Sequence, residues 1–368
     1  MTQENPAYLK EQLITCIGNK RKLLSFIGQA VNEVCTGLGK RKLICIDLFS
    51  GSGVVARYLK QYSSRLIVND LEAYSAQINQ CYLSSAQLVQ QSSYESAYND
   101  LAGIIAQGKY REGFIRKLYA PQDEQNIHAS DRVFYTIRNA KFIDTVRQYI
   151  DTVEESIRPL FMAPLLSEAS IHSNTAGVFK GFYKDSRTGL GQFGGCQMNA
   201  LSRIKGDMQL KKPVMSNFEC DFEVYTQDAN TLVRTMGEVD LAYIDPPYNQ
   251  HPYGSNYFML NLITSYRNPQ DISPVSGIPT EWNKSQYNRK ATAHDALADL
   301  IKNIKARYVL ISFNSEGFIS PVQMLAMLKA HGKVSVMQTP YNTYKGSRNL
   351  NLRSKHIREY LFLLKYLH

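Results

Sequence analysis

The 368-residue sequence carries 42 Lys+Arg against 32 Asp+Glu, a net charge of +10 and a pI near 9.1, with 44% hydrophobic and 20% charged residues. That composition can bury a core and is long enough for two compact domains or one large α/β core with an insertion; it excludes disordered, collagen-like, mucin-like and coiled-coil chains. No stretch approaches the ~20 uninterrupted apolar residues of a spanning helix, and Met1 to Lys10 lacks the layout of a signal peptide, so a soluble, cytoplasmic protein with no membrane partner is expected.

In chain order, Lys40 to Arg57 reads as a buried parallel strand ending in Asp47, a glycine-rich turn and an apolar helix. In the turn Phe49-Ser50-Gly51-Ser52-Gly53, the glycines permit backbone conformations and close ligand approach that a Cβ would block. Gly51, Gly53 and Ala56 satisfy G-x-G-x-x-A, and a second short strand, Arg65 to Asn69, delivers Asp70 19 residues after Gly51, where an acid grips a ribose. A nicotinamide dinucleotide, S-adenosylmethionine and a plain tight turn all fit this pattern. Asp47 discriminates among them, since an acid ahead of the turn suits the amino group of a methionine moiety and repels a pyrophosphate. The six cysteines (Cys16, Cys35, Cys45, Cys81, Cys196, Cys220) have no CxxC pair and no His at zinc-finger spacing, and read as reduced, mostly buried thiols with no metal role.

Residues 76–216 interrupt the strand pattern. Their first half has apolar residues at helical spacing, and Ser167 to Met215 mixes glycines, basic residues and aromatics without a period, which predicts helices followed by an irregular binding segment. Lys180 and Arg187 lie in the part where basic and aromatic residues interleave. The apolar run Val239 to Ile244 then ends in Asp245-Pro246-Pro247-Tyr248. The two prolines carry no N–H, so this corner offers the Asp245 carboxylate and nearby carbonyls with few competing donors, and Tyr248 adds a flat face. Such a corner suits a planar amino group, as on a nucleobase. Arg267 to Lys290, with three prolines and Trp282, reads as a long loop, and Tyr308 to Phe313 as a further strand. Residues 281–368 carry a local charge of +9, with Lys345, Arg348 and Arg353 suited to phosphate contacts. The predicted fold is a doubly wound, mostly parallel Rossmann-like sheet, with residues 1–75 and 217–368 as its core and 76–216 as an inserted helical and target-recognition domain.

Taken together these motifs resemble the Dam-like, D12 class of N6-adenine DNA methyltransferases of restriction-modification type. Thr15 followed by Cys16, Ile17, Gly18, Asn19 and Lys20 is similar to the N-terminal block that closes over S-adenosylmethionine, Asp47 to Gly53 to the F-x-G-x-G block, Asn69-Asp70 to the ribose block and Asp245 to Tyr248 to the catalytic block. Weaker matches are Tyr225 to Ala229, which puts Asp228 near the cofactor's adenine, and Leu310 to Gly317. Cys16 departs from the aromatic residue common at its position in that class. The resemblance implies methyl transfer from S-adenosylmethionine, without a metal, to the N6 amine of an adenine flipped out of double-stranded DNA, with a cognate restriction endonuclease as a possible partner. Cytosine-N4 methylation, RNA adenine methylation and an inactive DNA-binding scaffold are the alternatives; Asp rather than Ser at 245 favours adenine, and the intact acceptor corner and glycine turn argue against a scaffold.

Overall fold

In the computed structural model, which describes residues 3–91, 93–342 and 356–367, the chain opens with helix α1 (Pro6–Lys10), a 3-10 turn at Lys20–Leu23 and helix α2 (Leu24–Leu38). Strand β1 (Leu43–Asp47), helix α3 (Val54–Lys60) and strand β2 (Ser63–Asn69) follow as a βαβ unit. A helical segment then runs through α4 (Ala73–Leu83), α5 (Ala86–Gln91), α6 (Tyr94–Ala106), α7 (Phe114–Tyr119), α8 (Ile137–Ile150) and α9 (Arg158–Ile171) to a short α10 (Leu201–Lys205). The chain returns to the sheet with β3 (Asp221–Tyr225), α11 (Ala229–Thr235) and β4 (Val239–Ile244), followed by α12 (Tyr253–Asn256) and α13 (Phe258–Ser265). It closes with α14 (Ala293–Asn303), β5 (Ala306–Asn314), α15 (Pro321–Lys329), β6 (Gly332–Asn342) and β7 (His356–Tyr366).

The seven strands form one sheet in the order β3-β2-β1-β4-β5-β7-β6. The first five run parallel, and β7 is antiparallel to both β5 and β6. This is the mostly parallel, Rossmann-like sheet expected from the apolar runs. Both faces are covered, as a parallel sheet requires. Helices α2 and α3 pack Ile27, Val31, Val55 and Leu59 against Leu43, Cys45, Leu241 and Tyr243. Helices α11, α14 and α15 pack Leu232, Leu297, Leu300 and Met324 against Ile46, Ala242, Ile244 and Ile311 on the other face. The alternation of Cys45 with Ile46, and of Tyr243 with Ile244, between the two clusters is the period-2 signature of a strand.

A third apolar cluster joins α4, α6, α8 and α9 to Tyr8, Ile14, Tyr257 and Leu260, so residues that precede and follow the 76–216 segment pack with its helices. The segment from Ser167 onward is less irregular than its composition suggests. Its first residues complete α9, and Lys184 pairs with Gly191 to close a small hairpin. Arg267 to Lys290 is a loop as expected, with one short pairing of Ile272 with Pro279 and a 3-10 turn at Gln286–Asn288. The cysteines are all free, but only Cys45 and Cys81 are fully buried; Cys16, Cys35 and Cys220 are partly buried, and Cys196 is exposed.

One buried cation fixes the N-terminal segment. Arg57 of α3 donates to the carbonyls of Tyr8 (3.0 Å), Glu11 (3.1 Å) and Gln12 (3.1 Å), and its guanidinium lies 3.4 Å from the centroid of the Tyr82 ring. The planar fork of an arginine suits this combination of carbonyl bonds and stacking, which a lysine could not reproduce. Arg57→Ala is therefore expected to lower unfolding stability by about 3 kcal/mol, the scale of losing several charge-assisted hydrogen bonds. Urea denaturation measures that loss, and limited proteolysis should show earlier cleavage within the first twenty residues.

Candidate active site

Strand β1 lies between β2 and β4, so chain direction across the sheet reverses there, and a crevice opens beyond the carboxyl ends of β1 and β4. A cleft of about 770 Å³, partly open to solvent, occupies that position. Cys16 to Lys20, Asp47, Phe49, Gly51, Asp70, Asp245 and Pro247 line it, which brings four separated sequence blocks together. Gly53, Asp228, Pro246 and Tyr248 are not part of that lining.

The glycine turn has the positive φ values expected of it, and the close approach at Gly53 is by a side chain of α4. Gly51 and Gly53 have φ of 50° and 72°, and a Cβ on Gly53 would sit 2.9 Å from the Asn79 side chain. Asp70 locks the turn to the end of β2: its carboxylate accepts from the Gly51 amide at 2.7 Å and from the Glu72 amide at 2.9 Å. Glu72, which sequence reasoning missed, is buried in the cleft wall and accepts from the side chains of Asn261 and Asn283. Asp47 is 1% exposed, and neither of its carboxylate oxygens has a hydrogen-bond partner among the described residues. Burial, reinforced by the nearby Asp245 charge, raises its pKa well above the carboxylate range, although the Phe49 and Ala56 amides lie close enough to oppose this in part. A buried carboxylate in that state favours a cationic ligand.

Lys20 gives the site its fixed positive charge. Its ammonium is buried, 3.2 Å from Asp245 Oδ1 and 4.0 Å from Glu359 Oε2. Burial opposes the charge, but the two carboxylates outweigh it and hold the ammonium well above its ordinary pKa. Asp245 is raised by burial, and Lys20 pulls it part of the way back. Lys20 also lies 5.7 Å from the centroid of Tyr248, whose ring meets Phe313 edge-on. The block that carries Lys20 is strapped down by tyrosines absent from the sequence reading: the Ile17 amide donates to Tyr257 Oη at 2.7 Å, and Tyr253 Oη donates to the Ile17 carbonyl at 3.2 Å. Tyr253 lines the cleft, an aromatic face on the side where Cys16 offers none. The loop at 283–288 forms another wall, with Asn283 donating to the Leu71 carbonyl and Asn288 to the Asn249 carbonyl just after Tyr248.

The remaining candidates fall elsewhere. Asp228 is exposed and caps α11, accepting from the Thr231 amide at 3.0 Å. Lys180 is exposed, and Arg187 is exposed at the tip of the 184–191 hairpin, where Asp185 accepts from the Arg187 and Thr188 amides. The aromatic half of the interleaved pattern is packing: Phe179 and Phe193 are buried, and the Phe179 amide donates to the Asn256 carbonyl on α12. Asn174 pegs this segment through the carbonyls of Val133 and Gln192 and the amide of Gly194. Lys345, Arg348 and Arg353 lie outside the described residues.

The carboxylates around the cleft set a pH dependence. Burial pushes Asp70 up to about 6, and Glu72, with the Asp70 charge adding to burial, up to about 7. Both bind protons more tightly folded than unfolded, so the free protein loses stability as pH rises from about 4, where carboxylates of the unfolded chain titrate, to about 7, and the dependence then levels off. Urea midpoints should fall between pH 5 and pH 7.5, and Glu72→Gln should flatten the slope; equal slopes in the two proteins would remove Glu72 as a source of it.

The family profile described as D12 class N6 adenine-specific DNA methyltransferase matches residues 17–327. Type II methyltransferase M.NlaIII of Neisseria lactamica is 29% identical over 360 residues, covering 95% of this chain and 98% of that protein. Type II methyltransferase M.CviAII of Paramecium bursaria Chlorella virus 1 is 27% identical, covering 95% and 97%. Modification methylase StsI of Streptococcus sanguinis is 28% identical over 95% of this chain, which spans 51% of that longer protein. With the cleft, the glycine turn and the Asp-Pro-Pro-Tyr corner assembled as above, the chain belongs to the D12 class of N6 adenine-specific DNA methyltransferases.

Proposed function

We propose that this protein moves the methyl group of S-adenosylmethionine to the exocyclic N6 amine of an adenine flipped out of duplex DNA. The observation that carries this reading is the pairing, at adjacent strand ends of one cleft, of a buried carboxylate without a hydrogen-bond partner, Asp47, with a Lys20-paired acceptor, Asp245. Asp47 would face the ammonium of the methionine moiety, with the Gly51 to Gly53 turn and the Asp70 and Glu72 wall around the rest of the cofactor. When bound, S-adenosylmethionine would supply an electrophilic sulfonium methyl, transferred to an amine without metal assistance as the thioether product S-adenosylhomocysteine leaves.

The chain's own residues do the remainder. An aromatic amine is a poor nucleophile because its lone pair is delocalised into the ring. Asp245 accepts one amine hydrogen and the Pro246 carbonyl the other, which favours a pyramidal nitrogen with a localised lone pair and holds it in place. Pro247 keeps competing donors away, and Tyr248 presents a ring face on which the base stacks. Lys20 favours the ionised, accepting form of Asp245. The proton lost after transfer becomes acidic once the methyl is attached, so Asp245 need not be a strong base. Lys180 and Arg187 are placed on exposed loops of the inserted segment, where they would meet the duplex, while Lys345, Arg348 and Arg353 would add phosphate contacts. The named type II relatives make a cognate restriction endonuclease a natural partner.

Incubating the purified protein with duplex DNA and labelled cofactor, then hydrolysing the DNA to nucleosides, should yield labelled N6-methyl-2′-deoxyadenosine; labelled N4-methyl-2′-deoxycytidine would overturn the choice of base. Asp245→Ala should lower the rate at least ~100-fold while the fold persists, the scale of one preorganised electrostatic contact. Tyr248→Phe should be mild and Tyr248→Ala severe. Changes at Lys180 and Arg187 should alter the sequences methylated in a random plasmid library, since each side chain bonded to a base edge supplies about 1–3 kcal/mol of discrimination. Joint neutralisation of Lys345, Arg348 and Arg353 should instead weaken binding to all duplexes and flatten its salt dependence.

A further inference from the structure

The carboxyl edge of the sheet holds an acid that the methyl-transfer chemistry leaves unused. Glu359 is carried on β7, opposite Asn314 of β5 and Thr339 of β6, and is 3% exposed. Its Oε2 has no hydrogen-bond partner among the described residues, and the nearest cation is the Lys20 ammonium at 4.0 Å. Lys20 is buried too and stands 3.2 Å from Asp245. One ammonium therefore lies within 4.0 Å of two carboxylates delivered by β7 and by the end of β4, with Tyr248 and Tyr243 the other titratable groups acting on it.

We propose that Glu359 is a positioning residue: it shares the Lys20 ammonium with Asp245, so that Asp245 stays ionised without giving up its acceptor capacity to Lys20. An ammonium has three donors. Opposite a single buried carboxylate it settles fully on that partner and occupies the lone pairs that a substrate amine needs. A second carboxylate 4.0 Å from the same ammonium pulls on its charge without a hydrogen bond, weakens its hold on Asp245 and leaves part of that acceptor free. Glu359 has no other evident reason to be buried as a charge, because an acid in such a place costs stability unless its cation is required there. The inference rests on the reading that Asp245 receives the target amine.

Glu359→Gln keeps the shape of the side chain and removes its charge. It is expected to lower kcat about tenfold, as a misplaced acceptor does, while the KM and dissociation constant for S-adenosylmethionine change by less than about twofold. In a Lys20→Met background the same change should have no further effect, because a residue that acts through Lys20 has nothing left to act on. Independently of turnover, the Nζ signal of Lys20 in nitrogen-15 NMR, assigned by its loss in Lys20→Met, should titrate at lower pH in Glu359→Gln than in the wild type. An unchanged kcat, an unchanged Lys20 titration, or an equal tenfold loss in the Lys20→Met background would each refute the proposal, the last by making Glu359 a matter of fold alone. Should Glu359→Gln fail to fold, Glu359→Asp carries the test: it keeps the charge but draws it back from Lys20, and wild-type kcat with a wild-type Lys20 titration would again refute it. Adenine methylation by the wild-type protein tests the underlying reading separately, and its absence would leave the Lys20 titration as the measure of Glu359.

Discussion

Everything at the cleft answers to one electrostatic constraint, the concentration of buried carboxylates at the carboxyl edge of a parallel sheet. Asp47 ends β1, Asp70 and Glu72 follow β2, Asp245 follows β4 and Glu359 reaches in from β7. Each would ionise readily in water and resists ionising where it is. The structure compensates them unequally. Backbone amides serve Asp70, side-chain amides serve Glu72, and Lys20 serves Asp245 and Glu359, while Asp47 is left with no hydrogen bond among the described residues. On the proposed reading, this acid without a counter-charge is where the positive group of the cofactor belongs.

Because Lys20 is the counter-charge, the segment that carries it must be held. Three devices do this from three sides: Arg57 grips the carbonyls of Tyr8, Glu11 and Gln12, Tyr257 and Tyr253 bond both backbone groups of Ile17, and Asn19 caps the turn that begins at Lys20. Tyr253 opens α12 and Tyr257 joins α12 to α13, just after the Asp-Pro-Pro-Tyr corner, and the Asn256 carbonyl between them accepts from the Phe179 amide in the inserted segment. The inserted segment is thus joined to the Ile17 block through Phe179, Asn256, Tyr253 and Tyr257, without passing through the sheet.

The sheet core was legible because its central strands are largely buried and lead into acids: Ile44 to Ile46, Leu66 to Val68 and Leu241 to Ile244 are apolar runs that stop at or just before Asp47, Asp70 and Asp245. Strands β3 and β6 were not, since both lie at sheet edges where only one side is paired, and Asp-Phe-Glu-Val-Tyr reads as polar alternation in any loop. Glycines and prolines located the turn and the acceptor corner because backbone constraints are local. Glu72, Tyr253, Asn283 and Glu359 were invisible for the opposite reason: each is an ordinary polar residue whose place in the cleft depends on packing across at least one intervening element. The buried Phe179 and Phe193 show the converse error, since an aromatic beside a basic residue suggests base stacking in sequence, whereas here the ring faces the core and only the charge faces out.

The charge balance of the cleft also bears on turnover. Asp47, Asp245 and Glu359 all resist ionising where they are buried, and a ligand bearing a net positive charge favours their ionised forms and is favoured by them in turn. On the proposed reading the cofactor arrives with a sulfonium charge that its demethylated product lacks. Two unit charges 4 Å apart interact by about 4 kcal/mol at an effective dielectric constant of 20. Even a third of that, after desolvation takes its share, amounts to about a tenfold difference in affinity. A surplus of buried negative charge thus favours the reactant over the product without any contact to the methyl group, and it does so through residues that the fold must already strain to bury.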